Sequence, residues 1–552
     1  MEIVREGPKP VPEGATEMSV RMRDGIQLAT DVYLPSEQQD VPGPTILVRM
    51  PYDKTNGIGS PMGEYAQYMT DRGYRVVLQD VRGKFRSEGD PLLFIHEAND
   101  GYDTIDWVVN QPWSDGIVGM AGNSYYGYTQ WAALSSRHPA LRAISPRVTG
   151  TMLGEPARPL EQSGVKEAEQ SIALRYPLTF FHSADSYFWE IDWANRPWIA
   201  QIEKFFDEVG ARSPSFDLWY PQVVRLRRFP EGHPADAPPI PTLITIGWWD
   251  NCAPWSWEDV RALQKKASWQ DHLHLRLEQI DHFNFVFGHE DRALEPTWEQ
   301  RRERLARLLD PTLEFFDIHL RNLGPSDTIP QVTWDLVHDE RRISSQWPPV
   351  GVETLVLHLT KERTLTDHPS TRSHAMTWIH DPNTPVPSSV SDPFKYVFEE
   401  PDERCILDRS DVLTWKSEPL SEKVILAGPI EFTGTFKSTG PDMDVFVRLY
   451  DLAPDGSVTR IARGQVCFEE ARNARSIQVD MLHAGYLLQA GHRFAITVSS
   501  SDFPEFITRP GNGQDPWSTI ETVPNTQTIF LGGEHSPRIN MTVLPEEQMG
   551  QA

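Results

Sequence analysis

The sequence predicts an α/β protein with an inserted helical segment and a C-terminal all-β domain. Three changes of pattern along the 552 residues support this prediction. Short apolar runs alternate with helical stretches in residues 18–150 and 237–325, which is typical of βαβ units and a mostly parallel sheet. Residues 151–236 are crowded with aromatic side chains and lack strand-like alternation. Residues 326–546 contain short strand-like runs between turns, which favours a jelly roll.

The first α/β stretch, residues 18–150, contains three short apolar runs that predict buried strands. These runs are residues 45–50 (TILVRM), 74–79 (YRVVLQ) and 117–121 (IVGMA). Between the last two, residues 99–110 carry apolar side chains at helical spacing. Because the strands alternate with a helix, we expect them to lie side by side in one sheet.

The second α/β stretch, residues 237–325, continues the same pattern after a proline-rich linker. Residues 242–247 (TLITIG) and 273–280 (LHLRLEQI) predict strands, and residues 257–267 between them predict a helix. A long charged helix follows at about residues 294–321. The segment between the two stretches, residues 151–236, is therefore interpreted as a helical cap inserted into one α/β domain.

The C-terminal region, residues 326–546, loses helical periodicity. Its strand-like runs include residues 354–359, 424–427, 444–449 and 493–498. Gly, Pro, Asp and Ser residues separate these runs, as expected for the turns of an antiparallel β-sandwich or jelly roll.

The composition excludes several classes of function. The 52 Lys and Arg residues against 78 Asp and Glu residues give a net charge of −26, which argues against a nucleic-acid partner. The three cysteines, Cys252, Cys405 and Cys467, are too few and too scattered for a disulfide framework or a cysteine-based zinc site. No apolar run approaches the length of a membrane span, and the N-terminus lacks signal-peptide character. We therefore expect a cytoplasmic protein without a membrane partner.

A turn between a strand and a helix is the sharpest chemical signal. Residues 122–127 (GNSYYG) follow the predicted strand at 117–121 and precede a helical stretch at 128–136. Such a turn would expose the Ser124 hydroxyl at the carboxyl edge of the sheet, beside a helix N-terminus that stabilises negative charge. The glycine spacing is one residue longer than the usual G-x-S-x-G. An ordinary tight turn is the alternative, but the strand–turn–helix setting favours a nucleophile.

A serine nucleophile needs a base and an acid, and two residues fit these roles by position. Asp250 and His282 each follow a predicted strand, so both should lie at the same sheet edge as Ser124. Their chain order, Ser then Asp then His, is the order of α/β hydrolases. Asp281 and His289 are the nearest rivals, and they fit the strand ends less well. Residues 272–274 (HLH) lack the further ligands of a zinc site, so no metal is expected.

Segments distributed over nearly the whole chain resemble one family of α/β hydrolases. They are residues 23–28 (RDGIQL) with 31–33 (DVY), 49–54 (RMPYDK), 79–83 (QDVRG) with 87–89 (SEG), 113–116 (WSDG) leading into the serine turn, and 499–504 (SSSDFP). The chain is similar to the CocE/NonD-type hydrolases, which are grouped around cocaine esterase, X-prolyl dipeptidyl-peptidase, glutaryl acylase and α-amino-acid ester hydrolase.

The resemblance implies a mechanism and a site. It makes Ser124 the nucleophile, Asp250 the orienting acid and His282 the base, with an oxyanion hole formed by the Tyr52 hydroxyl and the Tyr125 N–H. It implies hydrolysis of a small-molecule ester or amide through an acyl-enzyme, without metal or cofactor. One departure is that residues 278–282 (EQIDH) lack the Gly-Pro-Trp segment common before the family's histidine.

The substrate is less constrained than the reaction. Flat aromatic side chains of the cap favour a bulky apolar acyl ester, with Phe180, Phe181 and Trp189 as candidate contacts. Carboxylates of the cap would instead favour an aminoacyl substrate, as in a dipeptidyl-peptidase or an amino-acid ester hydrolase; they are Glu155, Glu161, Asp185, Glu190 and Asp192.

Three further alternatives remain open at the level of sequence. An acyltransferase of natural-product metabolism would use an alcohol in place of water. A binding protein could retain the fold without turnover. A homo-oligomer is compatible with the sequence, which carries no signal for or against assembly.

Overall fold

The computed structural model describes residues 4–6, 10–37, 41–55, 62–155, 159–178, 180–181, 186–222, 224, 227–289, 293 and 295–545. The elements up to residue 344 are, in chain order, β1 (Val4–Glu6), β2 (Ala15–Arg21), β3 (Gln27–Tyr33), β4 (Gly43–Met50), α1 (Met62–Thr70), β5 (Arg75–Asp80), α2 (Glu97–Val109), β6 (Ser114–Asn123), α3 (Ser124–Ser135), β7 (Leu141–Arg147), β8 (Val165–Glu167), α4 (Ile172–Leu178), β9 (Ser186–Phe188), α5 (Trp198–Val209), α6 (Pro214–Trp219), β10 (Thr242–Gly247), α7 (Ala253–Gln264), β11 (Leu273–Glu278), α8 (Trp298–His319), β12 (Val332–Asp335) and β13 (Arg341–Ser344).

The remaining elements are mostly strands. They are β14 (Glu353–Leu359), β15 (Leu365–Thr366), β16 (His374–His380), α9 (Tyr396–Glu399), α10 (Arg404–Leu407), β17 (Leu413–Lys416), β18 (Val424–Ser438), β19 (Asp442–Leu452), β20 (Val458–Glu469), β21 (Arg475–Leu488), β22 (Arg493–Ser499), β23 (Asn525–Leu531) and β24 (Arg538–Val543). Within the described residues, no helix combines the length and the apolar character needed to cross a bilayer.

A ten-stranded sheet forms the centre of the first domain. Its strands lie in the order β13-β12-β11-β10-β7-β6-β4-β5-β3-β2. The inner strands from β12 to β5 pair in parallel, whereas β13, β3 and β2 are antiparallel at the two edges. Every residue of β5 and β10 is buried, as expected for strands covered on both faces. The α/β prediction is confirmed.

Helices cover both faces of this sheet because its strands are apolar on both faces. Ile46 and Val48 of β4 pack in a cluster with residues of α1 and α8, whereas Leu47 between them packs with residues of α2, α3 and α7. Successive strand residues point to opposite faces, which explains this alternation. The carboxyl ends of β6, β10 and β11 consequently meet at one edge between the two helical layers.

The C-terminal region is all-β, as the sequence predicts. A seven-stranded sheet contains β14, β15, β16, β18, β21, β23 and β24, and a five-stranded sheet contains β8, β17, β19, β20 and β22. All pairings in both sheets are antiparallel. Buried side chains of both sheets belong to one hydrophobic core. The jelly-roll connectivity stays a prediction.

The strands differ from the sequence interpretation at two places. Strands β12 and β13 lie in residues 326–546 but extend the ten-stranded sheet, because β12 pairs in parallel with β11. The cap contains α4, α5 and α6 as expected, but it also contains β8, which pairs with β20 of the C-terminal domain, and β9, which pairs with β1. Strands of three or four residues are too short to show an alternating pattern, and the choice of partner depends on tertiary packing.

Candidate active site

The Ser124 turn joins β6 to α3 without an intervening loop. Ser124 has a φ of 52°, in the left-handed region that few non-glycine residues adopt. Gly122 has a φ of 141°, and a Cβ there would lie 2.0 Å from Cδ2 of Tyr126. A Cβ at Gly127 would lie 2.6 Å from Cγ2 of Thr149. Both glycines of the predicted motif are therefore required by close packing around the serine.

Asp250, His282 and Ser124 form a hydrogen-bonded chain at the carboxyl edge of the sheet. His282 Nε2 lies 3.0 Å from Ser124 Oγ, and His282 Nδ1 lies 2.7 Å from Asp250 Oδ1. The Asp250 side chain is fully buried and the His282 side chain is 9% exposed. The Cys252 N–H also donates to Asp250 Oδ1, at 3.0 Å. The structure thus brings together the three residues that the chain order selected.

Tyr52 and Tyr125 both lie next to the serine. Tyr52 follows β4, and its hydroxyl interacts with the Ser124 side chain. Burial raises the pKa of Tyr52 to about 12, so this hydroxyl remains a proton donor. Tyr125 is the second residue of α3, a position whose N–H has no acceptor within the helix. Two donors therefore lie next to Ser124.

Tyr176 is a residue of the site that the sequence did not single out. It lies on α4 of the cap, and its hydroxyl donates to the Tyr52 hydroxyl over 3.1 Å. Burial raises the pKa of Tyr176 well above its usual value, so it also stays protonated. The hydrogen bond links residues 124 positions apart, and no local pattern could have indicated it.

The carboxylate of Asp281 anchors the loop that carries His282. Asp281 is buried, and its oxygens accept N–H groups from Phe285 at 3.0 Å, Val397 at 3.0 Å and Phe398 at 3.2 Å. Burial raises the pKa of Asp281 to about 7, although the three N–H donors act in the opposite direction. Asp281, a sequence-level rival for the acid, is therefore turned away from His282 toward the backbone of α9.

Phe394 of the C-terminal domain covers the candidate base. Its ring centroid lies 4.7 Å from that of His282, with the planes at 32°. The carbonyl oxygen of Phe394 also accepts the N–H of Phe283, at 3.3 Å. The C-terminal domain thus contributes directly to the surroundings of the histidine. Nothing in the local sequence around Phe394 indicates this contact.

His289, the other rival for the base, has different partners. It lies 3.0 Å from Nη1 of Arg307 and 3.8 Å from a carboxylate oxygen of Glu303. His274 of the HLH segment has Nδ1 within 3.0 Å of the Pro330 carbonyl oxygen. Neither ring forms a hydrogen bond with Ser124 in the described structure, where His282 occupies the position beside it.

One group of side chains has the spacing of a metal site. Ligand atoms of Asp250, Cys252 and His282 lie within 4.8 Å of one another. Both ring nitrogens of His282 are already directed at Ser124 and Asp250. Burial raises the pKa of the Cys252 thiol well above its usual value, which disfavours the thiolate that binds metals. This donor set fits a hydrogen-bonded chain better than a metal ion.

A cavity of about 830 Å³ opens onto Ser124 and His282. Its lining residues differ in character. One group, called the apolar wall here, comprises Leu93, Phe94, Leu153, Ile172, Tyr176 and Trp255. The other group, called the charged wall, comprises Glu64, Arg147, Arg276, Glu278, Asp335 and Arg341. The cavity is large enough for a small organic substrate with both apolar and polar parts.

The aromatic residues proposed from sequence as substrate contacts have packing partners instead. Among the described residues that line the cavity, Phe180, Phe181 and Trp189 are absent. Phe181 and Trp189 pack within the core of the cap against Phe205, and Phe180 stacks on Tyr125. Large aromatic side chains in a small inserted segment are needed to form its own core.

The cap carboxylates also have other surroundings than the cavity. Glu155 pairs with Arg228 at 3.3 Å, and the side chains of Glu161, Glu190 and Asp192 are exposed or bond within the cap. Asp185 lies outside the described residues. None of the four described carboxylates lines the cavity.

Comparisons with known proteins agree with the fold. Residues 24–284 match the model of X-Pro dipeptidyl-peptidase (S15 family), and residues 326–540 match that of the X-Pro dipeptidyl-peptidase C-terminal non-catalytic domain. The chain is 29% identical over 594 residues to cocaine esterase from Rhodococcus sp. (strain MB1 Bresler), which covers 96% of this chain and 98% of the relative.

Two solved structures share the fold over nearly the whole chain. An aminopeptidase from a marine sediment archaeon (Thaumarchaeota archaeon) has a TM-score of 0.78 at 22% identity and covers 97% of this chain and 98% of its own. An α-amino acid ester hydrolase has a TM-score of 0.79 at 22% identity, with coverages of 98% and 97%. Together with the family matches, these similarities confirm the resemblance drawn from the sequence motifs. The chain is a serine hydrolase of the family that includes cocaine esterase and X-Pro dipeptidyl-peptidase.

Proposed function

We propose that this protein hydrolyses an ester, or an amide, of a small organic molecule through an acyl-enzyme on Ser124. The observation that supports this most strongly is the hydrogen-bonded chain from Ser124 through His282 to Asp250, with distances of 3.0 Å and 2.7 Å. A serine hydroxyl is a weak nucleophile unless a base accepts its proton, and this chain supplies the base and its orienting carboxylate.

In the first step Ser124 Oγ attacks the substrate carbonyl carbon. His282 Nε2 accepts the serine proton as the new C–O bond forms, and the ring becomes an imidazolium. The Nδ1–H of that imidazolium donates to Asp250. Because the Asp250 carboxylate is buried, water screens its attraction to the imidazolium only weakly. Asp250 thereby sets the ring orientation and stabilises its positive charge without accepting the proton.

The negative charge on the carbonyl oxygen is received by the Tyr52 hydroxyl and the Tyr125 N–H. The Tyr52 hydroxyl accepts a hydrogen bond from the Tyr176 hydroxyl. Tyr52 therefore does not donate its own proton to Tyr176, and that proton is available to the oxyanion. The N-terminus of α3 adds a favourable dipole at the same place. Each oxyanion donor of this type contributes about 3 kcal/mol to transition-state stabilisation.

Collapse of the tetrahedral intermediate completes acylation. The bond to the leaving group breaks, and His282 transfers its proton to the leaving alcohol or amine. Water then attacks the acyl-enzyme with His282 again as base, which releases the acid and regenerates Ser124. The scheme uses side chains and water alone.

The cavity supports an ester substrate rather than an aminoacyl one. The carboxylates that line it, among the described residues, are Glu64, Glu278, Asp310, Glu314 and Asp335, and all of them lie outside the cap. The cap side of the cavity is uncharged, with Leu153, Ile172 and Tyr176 among its lining residues. An α-amino group would be desolvated there without an acidic partner, which costs several kcal/mol. An uncharged acyl or alcohol group fits that wall.

Labelling with a fluorophosphonate probe tests the proposal. We expect the wild-type protein to be labelled and to hydrolyse 4-nitrophenyl esters, and Ser124→Ala to do neither. Ser136→Ala is the matched control, because Ser136 lies at the other end of the same helix and its hydroxyl donates to the nearby Ala133 carbonyl. Labelling that persists in Ser124→Ala, or that is absent from the folded wild-type protein, would refute the proposed mechanism.

A further inference from the structure

Arg147 is a buried cation beside the serine turn that the mechanism does not use. It is the last residue of β7, and in the sheet it pairs with Asn123, the residue before Ser124. Adjacent strands lie about 4.8 Å apart, so its backbone is one strand away from the nucleophile. Arg147 is only 7% exposed, yet it belongs to the charged wall of the cavity.

Two of the three nitrogens of the Arg147 guanidinium have protein partners. Nε donates to Oδ1 of Asn284 at 2.5 Å, and Nη2 donates to the Glu278 carboxylate. Nη1 has no acceptor among the described residues. A buried N–H donor without an acceptor is energetically unfavourable. The free N–H groups of a guanidinium that lines a cavity therefore favour binding of a ligand or a water molecule that accepts them.

The carboxylate of Glu278 does not neutralise this wall. Glu278 is shared between Arg147, Arg276 at 2.5 Å and Arg341 at 3.6 Å, and these arginines lower its pKa to about 2. Asp335 is the second acid, and it pairs with Arg341 at 2.6 Å. Three guanidinium groups thus face two carboxylates, which leaves an excess of positive charge in a strongly acidic protein.

The other acids of the cavity have their own partners or face solvent. Glu64 pairs with Arg301 at 3.0 Å, and Asp310 pairs with Arg72 at 2.7 Å. Glu314 is exposed on α8. Among the described carboxylates that line the cavity, only Glu278 pairs with Arg147.

Two tyrosine hydroxyls complete the arrangement. Tyr65 of α1 and Tyr126 of α3 line the same cavity, and Arg147 is close enough to act electrostatically on both. Neither hydroxyl has a hydrogen-bond partner among the described residues. Burial raises the pKa of both above the usual range, so both remain donors. The ring of Tyr126 also meets that of Tyr52 edge-on at 6.2 Å, which places this group next to the oxyanion donor.

We propose that Arg147, Tyr65 and Tyr126 form a subsite for a carboxylate group of the substrate. This inference rests on the proposed function and narrows it to esters or amides that carry an anionic group within reach of Ser124. The unused Arg147 N–H and the two hydroxyls would surround the carboxylate oxygens, and charge-assisted hydrogen bonds of this kind are stronger than neutral ones. The apolar wall would receive the uncharged half of the substrate.

The anionic group could belong to the acyl half of the substrate or to its leaving group. Pairs of substrates that differ in the charge of one of these halves distinguish the two cases. The acyl arm compares mono-4-nitrophenyl esters of succinate, glutarate and adipate with the same compounds capped as methyl esters. The leaving-group arm compares 4-acetoxybenzoate with its methyl ester. In each pair only the charge changes substantially, so the ratio of kcat/KM values measures recognition of the carboxylate.

We expect the wild-type protein to favour the anionic member of at least one pair by about tenfold or more. Arg147→Gln and the double variant Tyr65→Phe/Tyr126→Phe should each reduce that ratio about tenfold, and Arg147→Lys should reduce it less. The double variant removes only hydroxyls, so it tests the subsite even if Arg147→Gln disturbs the Asn284 contact. Arg342→Gln is the control, because Arg342 lies on β13, pairs with Asp339 and does not line the described cavity. Its ratio should equal that of the wild type.

Two results would overturn the subsite. One is a wild-type ratio near one in both arms, and the other is a preference that both Arg147→Gln and the double tyrosine variant retain. Fluorophosphonate labelling of the same protein preparations shows whether only the subsite is refuted or also the proposed Ser124 mechanism. Ser124-dependent labelling with no charge preference refutes the subsite alone, whereas absence of labelling refutes the proposed mechanism as well.

Discussion

The serine turn and the histidine loop present two proposed catalytic side chains at the same sheet edge, but they are held in different ways. The serine turn is stabilised by nearby elements: Gln130 of α3 donates to the Gly122 carbonyl at 3.1 Å, and Thr149 donates to the Ser124 carbonyl at 2.6 Å. The histidine loop is anchored by Asp281, whose partners Val397 and Phe398 lie 116 and 117 residues away in the C-terminal domain.

This difference indicates that the C-terminal domain is part of the active-site architecture. A loop with no regular structure needs external contacts to hold a side chain within a few tenths of an ångström. The family model describes residues 326–540 as non-catalytic, yet within them Phe394 lies over His282 and α9 donates two N–H groups to Asp281. The domain contributes position and burial rather than reacting groups.

Breaking the serine turn should have the largest effect. In Gly122→Ala the new Cβ would lie 2.0 Å from the Tyr126 ring, so the turn must move. We expect kcat for a 4-nitrophenyl ester to fall on the order of 10³-fold, as when the nucleophile and base lose their alignment. Gly116→Ala is the control, since its φ of 84° is similarly positive but its Cβ meets nothing within 4 Å. Comparable losses in both variants would contradict the packing argument.

Removing the Tyr52 hydroxyl should have the next largest effect. We expect Tyr52→Phe to lower kcat about 10²-fold with little change in KM, because the oxyanion exists only after attack. Tyr176→Phe acts through Tyr52 and should cost only about fivefold. The double variant should be no slower than Tyr52→Phe. Multiplicative losses in this cycle would show that Tyr176 acts independently of Tyr52.

Weakening the anchor of the histidine loop should have a smaller effect on rate. Asp281→Asn replaces one of the two acceptor oxygens by an NH2 group, so the N–H groups of Phe285 and of α9 can no longer all be accepted. We expect kcat to fall about tenfold through misplacement of His282, while Asp103→Asn, at a surface pair with Arg23, leaves it unchanged. The rate of fluorophosphonate labelling should likewise be lower in Asp281→Asn and unchanged in Asp103→Asn. An unchanged kcat in Asp281→Asn would mean that the position of His282 does not depend on the Asp281 hydrogen bonds.

The smallest expected effect is a pH dependence of stability that comes from Asp281 in the histidine loop. Burial raises the pKa of Asp281 to about 7, above its usual value near 3.8. The folded protein therefore binds this proton more tightly, so the contribution to stability is complete below pH 3.8 and is lost as the pH rises through 7. We expect the free energy of unfolding to fall by about 1 kcal/mol more between pH 6 and 8 in the wild type than in Asp281→Asn. Denaturant titration at the two pH values measures this difference, and equal slopes would contradict it.

The parts of the site that the sequence indicated are those with local signals. Ser124 was recognisable because its glycines, its strand and its helix are contiguous in the chain. Asp250 and His282 were selected because each follows a predicted strand, and parallel strands bring their carboxyl ends to one edge. Tyr52 depended on the family resemblance, since a tyrosine after a strand has no distinguishing pattern of its own.

The parts that the sequence did not indicate depend on contacts between distant segments. Tyr176 reaches Tyr52 across the interface between cap and sheet, and Phe394 reaches His282 from another domain. The composition of the cap cannot show whether an aromatic residue contacts substrate or packs in a core, because the same side chains suit both places. Phe181 and Trp189 belong to the core of the cap, where burial of their area stabilises the inserted segment.

The sequence by itself determined the α/β class and the all-β C-terminal region, because these follow from hydrophobic periodicity, and its contiguous motifs carried the resemblance to a serine hydrolase family. Only the tertiary structure decided that β12 and β13 extend the first sheet, that the C-terminal domain anchors the histidine loop, and that Arg147 lines the cavity with an unused donor. Strand partners, buried hydrogen bonds and cavity walls are chosen by packing between residues far apart in the chain, and periodicity within one segment carries no information about them.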